Sequence, residues 1–210
     1  MLKIILTGPE SCGKTTLARQ LATHFNALLV EEFVREFFEK KGTTQYEEAD
    51  LKEIAIGQIK AENEVEKAFL KTFSRKKSAK MPEFFICDTD VLTIKIWSEE
   101  KYGRCDDFII QQFQMSNVKC QVSDTPTETS NVKLQTIYLL CSPEGIVWEA
   151  DPLRENPNDR DRLFAIYEQN LIFYQKKHFI LRGSISERFE LAKDILIQFF
   201  ETLQIKSLLV

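Results

Sequence analysis

Residues 8–15 constrain the fold of this 210-residue chain more than any other segment. They read Gly-Pro-Glu-Ser-Cys-Gly-Lys-Thr and fit the phosphate-binding pattern GxxxxGK[ST] at every specified position. The apolar stretch Leu2–Thr7 precedes them at strand length, and Leu17, Leu21 and Phe25 follow at helical spacing. A strand, a glycine-containing loop and a helix in this order predict a site for a nucleoside triphosphate.

The specified positions of this loop have separate roles. Gly8 and Gly13 let the backbone curl so that its N–H groups surround a chain of phosphates. Lys14 is expected to reach the terminal phosphates, and the Thr15 hydroxyl is expected to bind Mg²⁺. The sequence therefore predicts ATP and Mg²⁺ as cofactors. The cofactor-binding residues that we expect in and directly after the loop are Gly8, Glu10, Ser11, Cys12, Gly13, Lys14, Thr15 and Thr16.

Bulk composition argues against several classes of function. A length of 210 residues suits a single domain, here 1–210, and is short for two. The net charge of −4 gives no support for a nucleic-acid partner, and no apolar run approaches the roughly 18 residues of a membrane span. Five cysteines without metal-type spacing indicate free thiols and a cytoplasmic location. Among them, we expect Cys12 to be exposed by its position in the loop.

The rest of the chain alternates between strand-like and helix-like segments. One helical pattern starts near Glu48, a second covers Leu163–Tyr174 and a third starts at Ile185, where Ser184 and Glu187 predict a capping box. We therefore predict a three-layer α/β fold with a five-stranded, mainly parallel sheet flanked by helices. The predicted strands, which are nearly continuous in apolar residues, are Leu2–Thr7, Ala27–Val30, Glu83–Cys87, Gln135–Cys141 and His178–Leu181.

Two stretches lack any periodicity. Ser74–Pro82 is basic, and we expect a solvated connection there, with phosphate binding as the alternative. Ser116–Lys133 is rich in small polar residues and is expected to form a surface loop or a mobile excursion beside the site.

The first of three polar groups that follow predicted strands is Glu31–Arg35. Ligands bind at the carboxyl ends of parallel strands, so we expect these side chains to lie at a binding site. Glu32 is expected to accept a proton from a substrate hydroxyl, and Arg35 is expected to bind or orient that substrate. The alternative is a helix start whose acids complement the helix dipole, with Arg35 in a surface ion pair.

The second group, Asp88-Thr89-Asp90, comes directly after the third strand. An acid at the end of an apolar strand is the Walker-B position, which holds Mg²⁺ directly or through water. We assign Asp88 to the metal network and Asp90 to substrate binding or to capping of the helix that follows.

The third group runs from Trp148 to Arg154 and on to Arg160 and Arg162, after the fourth strand. In small phosphoryl-transfer enzymes a mobile lid at this place brings arginines onto the transferring phosphate and excludes water. We predict a lid at about residues 145–162, with Arg154 catalytic and with Arg160 and Arg162 binding the cofactor. The alternative is a charged loop and helix start, in which Arg160 and Arg162 pair with neighbouring aspartates.

Together these segments resemble the ribosylnicotinamide (nicotinamide riboside) kinase domain of NadR-type proteins, within the P-loop kinases. The resemblance implies phosphorylation of the 5′-hydroxyl of a small-molecule nucleoside, nicotinamide riboside first. Bifunctional relatives carry an adenylyltransferase domain ahead of the kinase, and because the phosphate loop starts at residue 8 we expect no such domain here. It extends from the first strand to at least Tyr174 and rests on residues 8–16, 32–36, 88–90 with Thr93, Tyr102-Gly103, and 148–154. The catalytic residues that it implies are Lys14, Glu32, Asp88 and Arg154. The substrate-binding residues are Glu31, Arg35, Asp90, Trp97, Trp148 and Asp151.

Two departures from this family bear on the acceptor. Such kinases look as though they hold the nicotinamide ring between aromatic side chains, one of them directly before the residue that matches Glu32. Here that position is Glu31, whose carboxylate could attract a pyridinium cation but cannot stack on it. Trp97, Tyr102 or Phe33 could supply a ring instead. Pro152 stands where the family favours glycine, and it stiffens the expected lid.

The residues leave two other functions open. One is a nucleotide-binding regulatory module without a small-molecule acceptor, although the lack of an Asn-Lys-x-Asp guanine motif counts against a GTP switch. The other is a nucleoside monophosphate kinase, which needs acceptor-side cations beyond Arg35. The nearest candidates are Lys95, Lys101 and Arg104.

Overall fold

The computed structural model describes residues 2–75, 84–115 and 134–207, in which strands alternate with helices. The strands are β1 (Leu2–Thr7), β2 (Leu29–Val30), β3 (Phe84–Asp88), β4 (Gln135–Cys141) and β5 (His178–Leu181). The helices are α1 (Lys14–Phe25), α2 (Phe33–Lys41), α3 (Glu48–Arg75), α4 (Val91–Tyr102), α5 (Asp107–Met115), α6 (Arg160–Phe173) and α7 (Ile185–Ser207).

The five strands form one parallel sheet in the order β2-β3-β1-β4-β5. At the centre, Leu6 of β1 is in register with Asp88 of β3 on one side and with Leu139 of β4 on the other. Every residue of β1 and β3 is buried, as expected for strands that are covered on both faces. Because the carboxyl ends of β1 and β3 are neighbours, the phosphate loop and Asp88 emerge at the same edge of the sheet.

Helices cover both faces and create two hydrophobic cores. One core packs α1 and α7 against the sheet, with Leu17, Leu21 and Leu196 completely buried. The other packs α2 to α6 on the opposite face, around Ile5, Phe85 and Tyr138. The predicted three-layer α/β fold is confirmed. Within the described ranges, no helix combines the length and apolarity that a membrane crossing requires.

Most predicted elements are found, with shifted ends. The strand predicted at Ala27–Val30 is only Leu29–Val30 long. The third strand extends to Asp88, and Glu83 lies outside the described residues. Of the basic stretch, only residues 74 and 75 are described, at the end of α3, and the predicted loop at Ser116–Lys133 lies outside the described residues.

The capping box at the start of α7 is confirmed. The Ser184 N–H donates to Glu187 Oε2 at 2.8 Å, and the Glu187 N–H donates to Ser184 Oγ at 3.3 Å. This cap fixes the first residue of the helix, Ile185, against the phosphate loop. A Cβ added to Gly13 would lie 2.5 Å from Ile185 Cδ1, so a side chain at Gly13 would force the Ile185 side chain to move.

Candidate active site

The phosphate loop passes between β4 and the start of α7 with little room to spare. Gly8 has a φ of 134°, and a Cβ there would meet the carbonyl oxygen of Cys141 at 2.6 Å. Gly13, directly before α1, has a φ of 83°, which lies in the left-handed region that favours glycine. The two specified glycines are therefore required both by backbone conformation and by close packing.

Lys14 lies over the loop that precedes it. Its ammonium group donates to the carbonyl oxygens of Gly8 at 2.9 Å and Pro9 at 2.7 Å. Burial acts to lower the pKa of Lys14, but the Cys12 thiol, Tyr167, Glu32 and Asp88 outweigh it and raise the pKa above its usual value. The charged form is thus held where terminal phosphates are expected.

Cys12 is completely buried, so the expectation that it is exposed was wrong. Its position is a consequence of the loop curling inward, which puts the thiol against Gly8 and near Lys14. Burial raises the pKa of Cys12, yet a hydrogen bond from Cys141 and the charges of Lys14 and Arg188 lower the pKa overall, to about 6. Cys12 still lines the cavity beside the loop.

Arg188 of α7, which was not predicted from the sequence, holds the phosphate loop and the residues after β4 and β5 through their backbone oxygens. Its guanidinium is completely buried and donates to three backbone oxygens: Gly183 at 2.7 Å, Cys12 at 2.9 Å and Glu144 at 2.9 Å. A charged residue three positions after Ile185 and four before Ala192 interrupts the buried face of an amphipathic helix, which is the signal that could have identified it.

Asp88, at the end of β3, fits the expected Mg²⁺ position. It is 1% exposed, and neither carboxylate oxygen has a hydrogen-bond partner within residues 2–75, 84–115 and 134–207. Burial raises the pKa of Asp88, while Thr15, Lys14 and Arg19 oppose that shift. Mg²⁺ prefers oxygen ligands, so the carboxylate of Asp88 and the hydroxyl of Thr15 are suited to bind it.

Asp90 does not reach the cavity, which corrects its assignment to substrate binding. Thr89 has a φ of 72°, and this turn separates the two aspartates. Asp90 caps α4 by accepting from the Leu92 N–H at 3.1 Å, and it also accepts from the Tyr138 hydroxyl at 2.7 Å. The capping alternative is the one that the structure contains.

A first cavity of about 160 Å³ lies above the loop, and Glu32 is on its wall. Burial raises the pKa of Glu32 from 4.5 to about 7; Lys14 and Arg35 oppose this shift, and Asp88 and Asp151 reinforce it. Arg35 lies 3.6 Å from the Glu32 carboxylate and 3.1 Å from that of Asp151. Arg35 and Asp151, both predicted to bind substrate, therefore form a chain of charges that ends at Glu32.

The β4–α6 loop, where the lid was predicted, is fastened to the phosphate loop. Ser11 accepts from the Glu149 N–H at 2.8 Å and from the Arg154 guanidinium at 3.4 Å. The Arg160 guanidinium donates to the Ser11 carbonyl oxygen at 3.0 Å. Asn156 donates to Glu10 Oε1 at 2.8 Å, which adds a second attachment. Arg154 and Arg160 thus lie at the loop, as predicted.

Three predicted site residues lie away from the first cavity. Glu31 pairs with Arg19 at 3.0 Å on the exposed surface. Arg162 pairs with Glu100 and Asp159, as in the alternative of a charged helix start, and it lines the second cavity described below. The Arg160 guanidinium lies 5.7 Å from the centroid of the Trp148 ring. Trp148 lines neither the first cavity nor the second cavity described below. These contacts do not support the assignments of Glu31 and Trp148 to the substrate or of Arg162 to the cofactor, and all three assignments stay predictions.

A second cavity of about 340 Å³ adjoins the first. Trp97 lines both cavities, and its role at the substrate stays a prediction. The Trp97 ring stacks on Tyr46, with centroids 6.3 Å apart and planes at 28°, and the Lys101 ammonium lies 3.5 Å from the Tyr46 centroid. Tyr46 was missed because it lies in the irregular segment between α2 and α3, where no periodicity marks it. The other shared lining residues are Glu10, Leu153 and Tyr167.

A family model described as an AAA domain matches residues 3–188. The matched range contains the phosphate loop, Glu32, Asp88, the β4–α6 loop and Arg188. The chain belongs to this AAA domain family. No curated protein matches the sequence significantly.

Solved structures share the fold of this AAA domain. The NadR protein in complex with NR aligns with a TM-score of 0.59 and 18% identity, covering 91% of this chain and 49% of that chain. The NadR protein in complex with NAD and AMP-PNP aligns with a TM-score of 0.56 and 18% identity, covering 91% and 47%. Deoxyadenosine kinase from M. mycoides with bound dATP aligns with a TM-score of 0.51 and 16% identity, covering 93% and 99%.

These alignments show a P-loop NTPase fold. The resemblance to NadR that the sequence indicates is confirmed at the level of the fold. The chain spans about half the length of the NadR chains that it matches.

The buried carboxylate of Glu32 predicts a pH-dependent cost to stability. The unfolded chain loses this proton near pH 4.5 and the folded chain near pH 7, so stability falls as pH rises between these values. Glu32→Gln removes the cost, and we expect it to raise the free energy of unfolding at pH 8 by about 1–3 kcal/mol, with a much smaller gain at pH 5. Urea unfolding at both pH values measures this.

Glu36→Gln is the matched control, because Glu36 lies on the same helix with its side chain 55% exposed. Its effect on stability should stay below about 0.5 kcal/mol at both pH values. Equal stability changes for the two variants would contradict the burial of Glu32 as a charged group.

Proposed function

We propose that this chain is an ATP- and Mg²⁺-dependent kinase that phosphorylates the 5′-hydroxyl of a nucleoside, with nicotinamide riboside as the leading acceptor. The observation that carries the proposal is the convergence of Lys14, Glu32 and Arg154 on one cavity. At the neighbouring strand end lies the buried Asp88, whose carboxylate has no hydrogen-bond partner among the described residues. Phosphoryl transfer depends on positioning and charge neutralisation, and these are the groups that provide both.

Each residue has a separate task in this reaction. Thr15 and Asp88 would hold Mg²⁺, which supplies positive charge to the phosphates. Lys14, which can exchange its two carbonyl acceptors for phosphate oxygens, neutralises the transferring group. Glu32 takes the proton from the acceptor hydroxyl, and a pKa of about 7 lets it act as a base near neutral pH. Arg154 stabilises the charge that develops on transfer.

The second cavity supports a cationic aromatic acceptor. Its aromatic face, Tyr46 with Trp97, already holds one cation, the Lys101 ammonium. Lys101 also lies 3.9 Å from the Glu155 carboxylate, to which it can turn when a substrate ring takes its place. A pyridinium ring would satisfy the same aromatic face, because the face attracts a positive charge. The similarity of the fold to NadR in complex with NR supports the same acceptor.

A nucleoside monophosphate acceptor is less well supported. Arg104 pairs with Glu48 at 2.6 Å, and Lys95 is buried against Glu99 and Asn170 at 2.7 and 2.8 Å. Of the three candidate cations for a second phosphate, only Lys101 lines either of the two cavities, and Arg162, which also lines the second cavity, is paired with Glu100 and Asp159.

The proposal is tested by ADP release from Mg·ATP with a panel of nucleosides and nucleoside monophosphates. We expect nicotinamide riboside to stimulate release in the wild type and Lys14→Ala to abolish it. Glu32→Gln should lower kcat by at least about 100-fold while the KM for ATP changes little, because the base acts only on the acceptor hydroxyl. Glu36→Gln is the control for helix α2.

ATP binding without stimulation by any acceptor would favour a regulatory nucleotide-binding module. Stimulation by a different nucleoside would keep the chemistry and change the substrate. Full activity of Glu32→Gln would remove Glu32 from the reaction.

The acceptor site is tested separately through Trp97. Trp97→Ala removes the ring shared by both cavities, and we expect the KM for the acceptor to rise about tenfold with the KM for ATP unchanged. Trp97→Phe keeps an aromatic face and should stay within about threefold of the wild type. A rise in the KM for ATP alone would place Trp97 at the nucleotide instead.

A further inference from the structure

Glu32 stands at the N-cap of α2, yet its carboxylate does not cap the helix. An acid at this position ordinarily accepts from the N–H groups of the second or third helical residue. Here the Glu32 side chain makes no such bond, and it faces the cavity instead. A helix start needs acceptors for its first N–H groups, so another group has to contribute one.

Gln58 of α3 supplies an acceptor. The N–H of Phe33, the first residue of α2, donates to Gln58 Oε1 at 3.0 Å. Gln58 is 2% exposed, so this hydrogen bond is shielded from water. The bond joins the backbone directly after Glu32 to a neighbouring helix that the cavity does not touch.

The orientation of the Gln58 amide is fixed by a buried charge pair. Gln58 Nε2 donates to Glu62 Oε1 at 3.2 Å, and the other oxygen of Glu62 pairs with the Lys3 ammonium of β1. A carboxylate accepts and does not donate, so the amide nitrogen has to face Glu62 and the amide oxygen has to face Phe33. The pair thereby prevents the amide from flipping.

Packing reinforces the same contact. Gly57 precedes Gln58, and a Cβ added at Gly57 would lie 2.0 Å from Cε1 of the Phe33 ring. The absence of a side chain at Gly57 therefore lets the Phe33 ring rest directly on α3. Ring and backbone of the residue that follows Glu32 are both held by one turn of α3.

We propose that Gln58 is a positioning residue for Glu32. By holding the Phe33 N–H from α3, it fixes the backbone next to Glu32 in the position from which the Glu32 carboxylate faces the cavity. The inference rests on the proposed function, because positioning matters to turnover only if Glu32 is the base. Loss of the Gln58 oxygen leaves the Phe33 N–H without its acceptor and releases the start of α2, and with it the Glu32 backbone, from α3.

A double-mutant cycle tests this proposal. Gln58→Met keeps the side-chain length and removes the acceptor, and we expect kcat to fall about tenfold with the KM for ATP unchanged. In the Glu32→Gln background, the same substitution should change kcat by less than about twofold, because Gln58 acts through Glu32. Amide hydrogen exchange at Phe33 should become faster in Gln58→Met.

Ile54→Val is the matched control. Ile54 lies on α3 one turn before Gln58 and is 1% exposed, so this variant lowers the melting temperature without touching the cap. Its kcat should stay within about twofold of the wild type, and Phe33 exchange should stay slow.

Two results would overturn the proposal: an equal loss of kcat from Gln58→Met in both backgrounds, or unchanged Phe33 exchange. Failure of the proposed function is visible earlier, as a wild type with no acceptor-dependent turnover or a fully active Glu32→Gln. In that case the rate of amide hydrogen exchange at Phe33 still tests whether Gln58 caps α2, but the proposed positioning role is rejected together with the proposed function.

Discussion

The buried guanidinium of Arg188 joins the three segments that frame the nucleotide end of the cavity. Its acceptors are the carbonyl oxygens of Cys12 in the phosphate loop, Glu144 after β4 and Gly183 after β5. A buried charge is tolerated only when its donors are satisfied, so the three carbonyls have to stay in place. In a trans peptide the next N–H points the opposite way, so holding the Cys12 oxygen also directs the Gly13 N–H. The conformation of the phosphate loop therefore depends on a residue far along the chain from it.

Three carboxylates at the same edge of the sheet have different chemistry because their partners differ. The Asp88 oxygens have no hydrogen-bond partner in the described part of the chain, Asp90 caps a helix and accepts from a tyrosine, and Glu32 is buried with a raised pKa. The arrangement costs stability, because a buried carboxylate is disfavoured when charged. Active sites commonly accept such a cost, since a base with a pKa near the working pH is the more effective catalyst.

The sequence predicted what local pattern determines, and it missed what distant contacts determine. The phosphate loop and the capping box at Ser184 are contiguous motifs, and the five strands are continuous apolar runs, so all were predicted. The side-chain partners of Asp90 and Arg162 are Tyr138 and Glu100, which lie 48 and 62 residues away in sequence. Tyr46 and Gln58 carry no motif, and their places become visible only once α3 packs against α2 and α4. Cys12 was judged from its loop position, although the loop curls into the protein.

The central claim is that the terminal phosphate of ATP passes to a hydroxyl held beside Glu32 rather than to water. Phosphorus NMR of a reaction with Mg·ATP and nicotinamide riboside tests this directly, because a phosphate monoester and inorganic phosphate give separate signals. The account predicts that the monoester signal grows in step with ADP and that inorganic phosphate stays at the level seen without acceptor. Growth of inorganic phosphate alone, at the same rate with and without acceptor, would contradict it.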